Sequence, residues 1–140
     1  MRKLRTESET PAGGVPGNKR VDGRKALGAL GEKQAAAHLL GLGYKLLEVN
    51  WRCRTGEIDI VAQDGDTLVF VEVRTRGRSD SFGTPLESID FRKRKQVRDT
   101  ALVYLHSRRH ASGGIRFDVI GVRTAAGLNE AEIEHVRNAF

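Results

Sequence analysis

Residues Gly56–Thr75 read GEIDIVAQDGDTLVFVEVRT, and the rest of the chain can be placed outward from them. Along Glu57–Gln63 the residues Ile58, Ile60 and Ala62 alternate with Glu57, Asp59, Val61 and Gln63. Along Leu68–Arg74 the residues Val69, Val71 and Val73 alternate with Leu68, Phe70, Glu72 and Arg74. A period of two with β-branched enrichment predicts strands. Asp64-Gly65 between the two runs predicts an antiparallel hairpin, because glycine accepts the positive φ of a primed turn.

The register of that hairpin has a chemical consequence. A two-residue loop, Asp64-Gly65, sets Asp59 opposite Phe70 with Glu72 on the diagonal. A four-residue loop, Asp64 to Thr67, sets Asp59 directly opposite Glu72. Both put Asp59, Glu72 and Arg74 on one face, whereas a three-residue loop inverts one strand and separates them. Opposed carboxylates repel and call for positive charge. Arg74 and a divalent cation are the candidates, and Mg²⁺ is typically held by one or two carboxylates plus water and phosphate. The alternative is a hairpin in which Arg74 makes an ordinary surface salt bridge to Glu72 or Asp59, worth little.

With 140 residues, the chain accommodates one core. Its formal charge of +6 favours a polyanionic partner. The single cysteine, Cys53, excludes an internal disulfide framework and a cysteine-based zinc site. It reads as a small strand residue in a reducing, cytoplasmic protein. No apolar run approaches the roughly 20 residues of a membrane span, and the basic N-terminus lacks the apolar stretch of a secretory signal.

Met1–Gly23 is polar and rich in Gly, Pro and charge, which predicts a disordered tail ahead of a domain over residues 24–140. Arg24–Leu42 predicts a helix with Leu27, Gly31, Ala35, Leu39 and Leu42 on one stripe. Its small residues allow close packing on a sheet, and Gly41 and Gly43 end it. Glu32 lies at the edge of the stripe, either in solvent or reaching over the end of the sheet toward Asp59 and Glu72. His38 reads as a core or boundary histidine. Tyr44–Arg54 predicts the first strand, with Trp51 packed and Arg52 and Arg54 projecting together, as a phosphate-binding wall or as neutralising partners of the carboxylates.

Arg76–Gly83 reads as a loop. Thr84, Pro85 and Glu87 form a capping box with proline at the first helical position, predicting a helix from Thr84 to Arg109. Leu86, Val97, Ala101, Tyr104 and Leu105 make its inward stripe. Arg92, Lys93, Arg94, Lys95 and Arg98 crowd its first half. Such a run is commonly a solvated face, but on a basic domain it raises the expectation of phosphate contacts. Ile115–Val122 predicts a central strand in which Asp118 pairs with a basic neighbour or caps a ladder. Thr124–Asn129 reads as a loop, Ile133–Arg137 as an edge strand, and Ala139-Phe140 as a docking terminus. The order αβββαβ(β) implies a mixed sheet with flanking helices and a right-handed crossover.

This order, together with Gly31-Glu32, Asn50-Trp51-Arg52, Gly56-Glu57-Ile58-Asp59, Val71-Glu72-Val73-Arg74, Phe82-Gly83-Thr84-Pro85, the Arg92–Lys95 run, Arg116-Phe117-Asp118-Val119 and Asn138-Ala139-Phe140, resembles the YraN-like family of small bacterial proteins. Through it the chain resembles the PD-(D/E)XK nuclease fold of restriction endonucleases and archaeal-type Holliday junction resolvases. The resemblance implies a Mg²⁺- or Mn²⁺-dependent endonuclease core acting on branched or structured DNA. Asp59 and Glu72 would be metal ligands, helped by the backbone carbonyl of Val73, and Glu32 a further ligand or the group that orients a water. Arg52, Arg54, Arg92, Lys93, Lys95 and Arg98 would hold the nucleic-acid backbone. Resolvases of this kind cut two strands as dimers, which makes a homodimer an expectation here. Arg74 stands where the superfamily normally has lysine, and arginine keeps its charge and cannot serve as a base. It would stabilise the phosphorane, or pair with the carboxylates and leave a non-catalytic nucleic-acid-binding module. The remaining possibility is a structural protein whose carboxylates only form salt bridges.

Overall fold

A computed structural model describes residues 22–77, 84–108, 113–124 and 131–140. The elements are helix α1 (Asp22–Gly41), strands β1 (Lys45–Cys53), β2 (Gly56–Asp64) and β3 (Thr67–Arg76), a short 3-10 turn (Leu86–Ser88), helix α2 (Phe91–Arg108), and strands β4 (Ile115–Thr124) and β5 (Ala131–Val136). The five strands lie in the order β1-β2-β3-β4-β5. β3 and β4 are parallel and are joined through α2; the other neighbours are antiparallel. The predicted mixed sheet with flanking helices is therefore present. Among the described residues no helix is long and apolar enough to cross a membrane.

Alternation divides the core into two layers. Ile60, Ala62, Val69, Val71, Val73, Ile120 and Val122 meet Ala35 and Leu39 of α1. Ile58, Val61, Leu68 and Phe70 meet Ala101 and Tyr104 of α2, so Ile58 is corrected from the face of Ile60 and Ala62 to the opposite one, the alternation of β2 breaking between Ile58 and Ile60. Gly31 lets α1 approach β3, since a Cβ there would collide with the side chain of Thr75. The α1 stripe holds at Gly31, Ala35 and Leu39, but Leu42 is 53% exposed because the helix ends one residue before it. The C-terminus docks as predicted: the Ala139 N–H donates to the Phe117 carbonyl at 2.6 Å, and the Phe140 ring stacks on Phe117.

The hairpin pairs Gln63 with Leu68 and Asp64 with Thr67. This is the register of the four-residue loop, and the tight turn itself is Gly65-Asp66, with Gly65 at φ +62°. The predicted start of α2 is corrected. The Thr84/Glu87 capping box forms, with each backbone N–H donating to the other's side chain at 3.0 and 3.3 Å. It closes only the 3-10 turn. Ile89 then takes an extended backbone that buries its side chain. The helix restarts at Phe91, where Asp90 Oδ1 accepts the Lys93 N–H at 2.8 Å. Leu86 consequently belongs to the turn rather than to the helical stripe. Smaller shifts move β4 on to Thr124 and β5 to Ala131–Val136. The expected tail and most of the two expected loops, at residues 1–21, 78–83 and 125–130, lie outside the described residues.

Candidate metal centre

The ladder between β2 and β3 runs only as far as Ile60–Val71. One step further, Asp59 and Glu72 would be opposed. There the strands part, and Asp59 Oδ2 accepts the Val73 N–H at 2.8 Å. A backbone group released from the ladder thus fixes the rotamer of the carboxylate. On the neighbouring strand Asn50 adopts φ +55°, so the β1 backbone departs from ideal extension beside the same point.

Glu72 is only 4% exposed. Two cations reach its Oε2: Lys93 Nζ from α2 at 3.7 Å and Arg74 Nη1 at 3.9 Å. Burial and the nearby Glu72 charge push the Asp59 carboxyl up to about 7, against a pull from the Val73 N–H. Burial also raises Glu72, while Lys93 and Arg74 draw it back. The pair therefore retains a proton that ordinary carboxylates lose. Arg74 Nη2 donates to the Ser88 carbonyl at 3.1 Å, and its buried Nε–H has no hydrogen-bond acceptor among the described residues.

Glu32 is half-buried, and burial followed by the Asp59 charge raises its carboxyl. A hydrogen bond with the Asn50 side chain opposes the rise. The structure thus brings Glu32 into the electrostatic neighbourhood of Asp59, as the reach over the sheet end predicts. Glu32 is not gathered with Asp59 and Glu72 into one close cluster. Among the described residues no three Asp, Glu, His or Cys side chains gather closely enough to hold an ion by themselves. Asp59 and Glu72 form a coupled pair of carboxylates, with Glu32 within electrostatic reach of Asp59.

The basic run divides three ways. Arg92 is exposed and Lys95 lies on the surface against Asp99 at 2.9 Å. Arg94 ties α2 to the turn before it through the Ile89 and Leu86 carbonyls. Arg94 and Arg98 both lie over the Phe140 ring. Lys93 turns inward to Glu72 rather than out to solvent. Sequence analysis missed that role although the signal was present: Lys93 lies one turn ahead of Val97 on the inward stripe. Arg54 is exposed, and Arg52 stands 3.5 Å from Glu57. A cleft of about 330 Å³ opens beside Arg74 toward Pro85, Ser88, Gly121 and Ile133, but neither Asp59 nor Glu72 lines it.

A second polar cluster lies on β4. Asp118 is fully buried and accepts from Arg116 at 2.9 and 3.0 Å and from the Asn138 N–H at 3.0 Å. It also contacts His135 Nε2 at 2.8 Å, and His135 Nδ1 meets His38 Nε2 at 3.1 Å. The basic partner expected for Asp118 is thus Arg116, and His38 is the boundary histidine expected.

Fold and site together define a small mixed α/β domain with paired acidic side chains where a central hairpin opens. The family model described as Uncharacterised protein family UPF0102 matches residues 31–122. A UPF0102 protein of Moorella thermoacetica is 49% identical over 117 residues, covering 84% of this chain and 97% of that protein. One from Rhodococcus opacus is 47% identical over 116 residues, 82% and 96% of the two chains. Another, from Frankia casuarinae, is 44% identical over 117 residues, 84% and 98%. The chain belongs to the UPF0102 family, the YraN-like proteins.

Proposed function

We propose that the chain is a divalent-metal-dependent endonuclease of PD-(D/E)XK type that hydrolyses phosphodiester bonds in branched or structured DNA. The observation that carries this is the pair of carboxylates at the end of the ladder, half-buried Asp59 and buried Glu72, with Lys93 and Arg74 beside Glu72. The residues fit a small hard cation. Two carboxylates are a donor set that Mg²⁺ or Mn²⁺ takes alongside water and phosphate, burial and the Glu72 charge raise the Asp59 carboxyl, and the Arg74 Nε–H has no acceptor among the described residues. Asp59 and Glu72 would hold the ion, which supplies charge to acidify a water and to neutralise phosphate oxygens.

The chain's own groups divide the remaining work. The Val73 N–H fixes Asp59. Arg74, permanently charged, meets the phosphate oxygens as negative charge grows on them. Lys93 provides from α2 the amine that the sequence lacks at position 74, and an amine, unlike a guanidinium, can exchange a proton with a water. Glu32, within electrostatic reach of Asp59, would accept a hydrogen bond from a water and orient it. Arg52, Arg54, Arg92 and Lys95 hold flanking phosphates, which fixes position without reading sequence. Cutting both strands of a junction requires two such sites, hence a homodimer.

A second reading is a non-catalytic nucleic-acid-binding module. It is favoured by Lys93 and Arg74 both lying within 4 Å of Glu72, an arrangement that balances much of the acidic charge without an ion. The test is nicking of a four-way junction or flap in Mn²⁺ by the wild type and by Asp59→Ala. Nicking that the substitution abolishes supports the nuclease. Tight, salt-sensitive binding with no nicking by either protein leaves the second reading.

A further inference from the structure

Phe91, the first residue of α2, is 78% exposed, the largest exposure of any large apolar side chain among the described residues. Scattered exposed apolar residues are normal, but this one differs from the other described aromatics. Tyr44, Trp51, Phe70, Tyr104, Phe117 and Phe140 all make ring or ring–cation contacts, whereas Phe91 makes none among the described residues. Its backbone is also pinned rather than loose. Asp90 caps the helix through the Lys93 N–H, and Arg94 clamps the preceding turn through the Ile89 carbonyl at 3.0 Å.

Its surroundings are basic. Helical spacing puts Lys95 one turn behind Phe91 on the same outward stripe, with Arg92 beside it; both are exposed. Two residues on, Lys93 turns the other way and reaches Glu72. Phe91 and the carboxylate pair thus flank the same end of one helix, roughly 10 Å across. A polynucleotide leaving the site around that end would meet an aromatic face two or three nucleotides away. Lys95 is shared with Asp99 at 2.9 Å, so exposed Arg92 is the charge beside Phe91 that favours a polyanion over a second copy of this chain.

We infer that Phe91 is a stacking platform for an unpaired base, so that the preferred substrate carries a single-stranded segment next to the cleavage point. This rests on the nuclease or nucleic-acid-binding reading above and narrows it. In duplex DNA the base faces are covered by their neighbours, while a flap or fork offers a free face to an aromatic ring. The basic side chains beside it act on phosphates and distinguish neither.

The experiment measures binding in EDTA, so that cleavage does not intervene, with a 20-nucleotide single strand, a flap and a blunt duplex as probes. Phe91→Ala should weaken single-strand and flap binding by about tenfold, within the range of one base–aromatic stack, and change duplex binding less than twofold. Phe91→Trp should restore the preference and Phe91→Leu should not. Equal losses on all three probes, no loss on any, or rescue by leucine would overturn the inference. So would a loss of dimer on sizing with binding unchanged, which assigns the face to a second copy. Wild-type nicking in Mn²⁺ that Phe91→Ala leaves unaltered on flaps sinks this inference and spares the nuclease. A wild type that binds none of the probes sinks both.

Discussion

Replacing Asp59 by Asn should make the protein more stable at pH 8 while removing any metal-dependent activity. Burial and Glu72 hold the Asp59 carboxyl at about 7, against an ordinary 3.8. Between those two pH values the folded chain keeps a proton that the unfolded chain has released, so stability falls as pH rises through the window and is level above it. At about 1.36 kcal/mol per pH unit the difference amounts to about 4 kcal/mol. Asp59 is partly exposed and shares its proton with Glu72, so about half of that, roughly 2 kcal/mol, is the effect to expect. The asparagine carbonyl still accepts the Val73 N–H and its amide can donate to Glu72, so no hydrogen bond is lost. For a chain of this size the gain corresponds to about 6–8 °C in Tm at pH 8 and almost nothing at pH 4. Thermal unfolding of both proteins from pH 4 to 8 measures it. In the wild type, millimolar Mn²⁺ should raise Tm at pH 8 by binding the folded state alone, and in the Asn variant it should not. A variant less stable than wild type at pH 8, or a difference that does not change with pH, would refute the assignment of Asp59 as one of two mutually repelling carboxylates.

Three further outcomes follow from other contacts. Lys93→Met should leave affinity for flap DNA within threefold and reduce nicking by about a hundredfold or more, the scale of one acid–base group; Arg74→Lys should raise nicking if the guanidinium is the limiting feature, both measured under single-turnover conditions. Asp118→Asn should cost about 3 kcal/mol, at the low end for removing one partner of a buried pair, because Asp64 still bonds Arg116 at 3.0 Å; a Tm fall of about 10 °C checks it. Although burial pushes Asp118 up, His135 and Arg116 hold it below the usual range, so its contribution is present above pH 4 and lost on acidification, opposite in sign to Asp59; the Asn variant should therefore lose less stability than wild type between pH 4 and 2.

How much of this was legible follows from the range over which each signal acts. The facing of Asp59, Glu72 and Arg74 is a matter of alternation within a few residues of one turn, and it could be read before any coordinates. The loop length could not, since Asp64-Gly65 and Gly65-Asp66 are both good turn centres and only long-range packing of Val69 and Val71 against Leu39 and Ile60 selects between them. The start of α2 failed for a related reason. A capping box reports the first turn alone, and the same Thr84–Glu87 contacts serve a 3-10 turn as well as an α-helix. What breaks the helix is the burial of Ile89, a tertiary effect. The Asp118 cluster joins His38 to His135 across 97 positions, with no periodic trace, so the sequence could indicate that Asp118 needed a basic partner but not which residues supply it.

The site's position at the end of a ladder is itself part of the chemistry. Inside the hairpin the Val73 N–H would be committed to a backbone carbonyl, and two opposed carboxylates would be sealed between sheet and helix. Where β2 and β3 part, the N–H is free to hold Asp59. Lys93 enters from α2 because the 3-10 turn and the restart at Phe91 set the helix phase, so the same break that defeats a simple helix prediction also aims the lysine. Had the helix run unbroken from Thr84, the angular position of Lys93 on it would not be fixed by the Asp90 cap. Lengthening the break by one residue between Ile89 and Asp90 should therefore leave the fold intact while separating Lys93 from Glu72. The Asp59 carboxyl, relieved of one nearby cation, would then rise further, and the stability difference between wild type and the insertion should grow from pH 4 to pH 8. A difference that stays constant with pH would show that Lys93 contributes no charge to the pair.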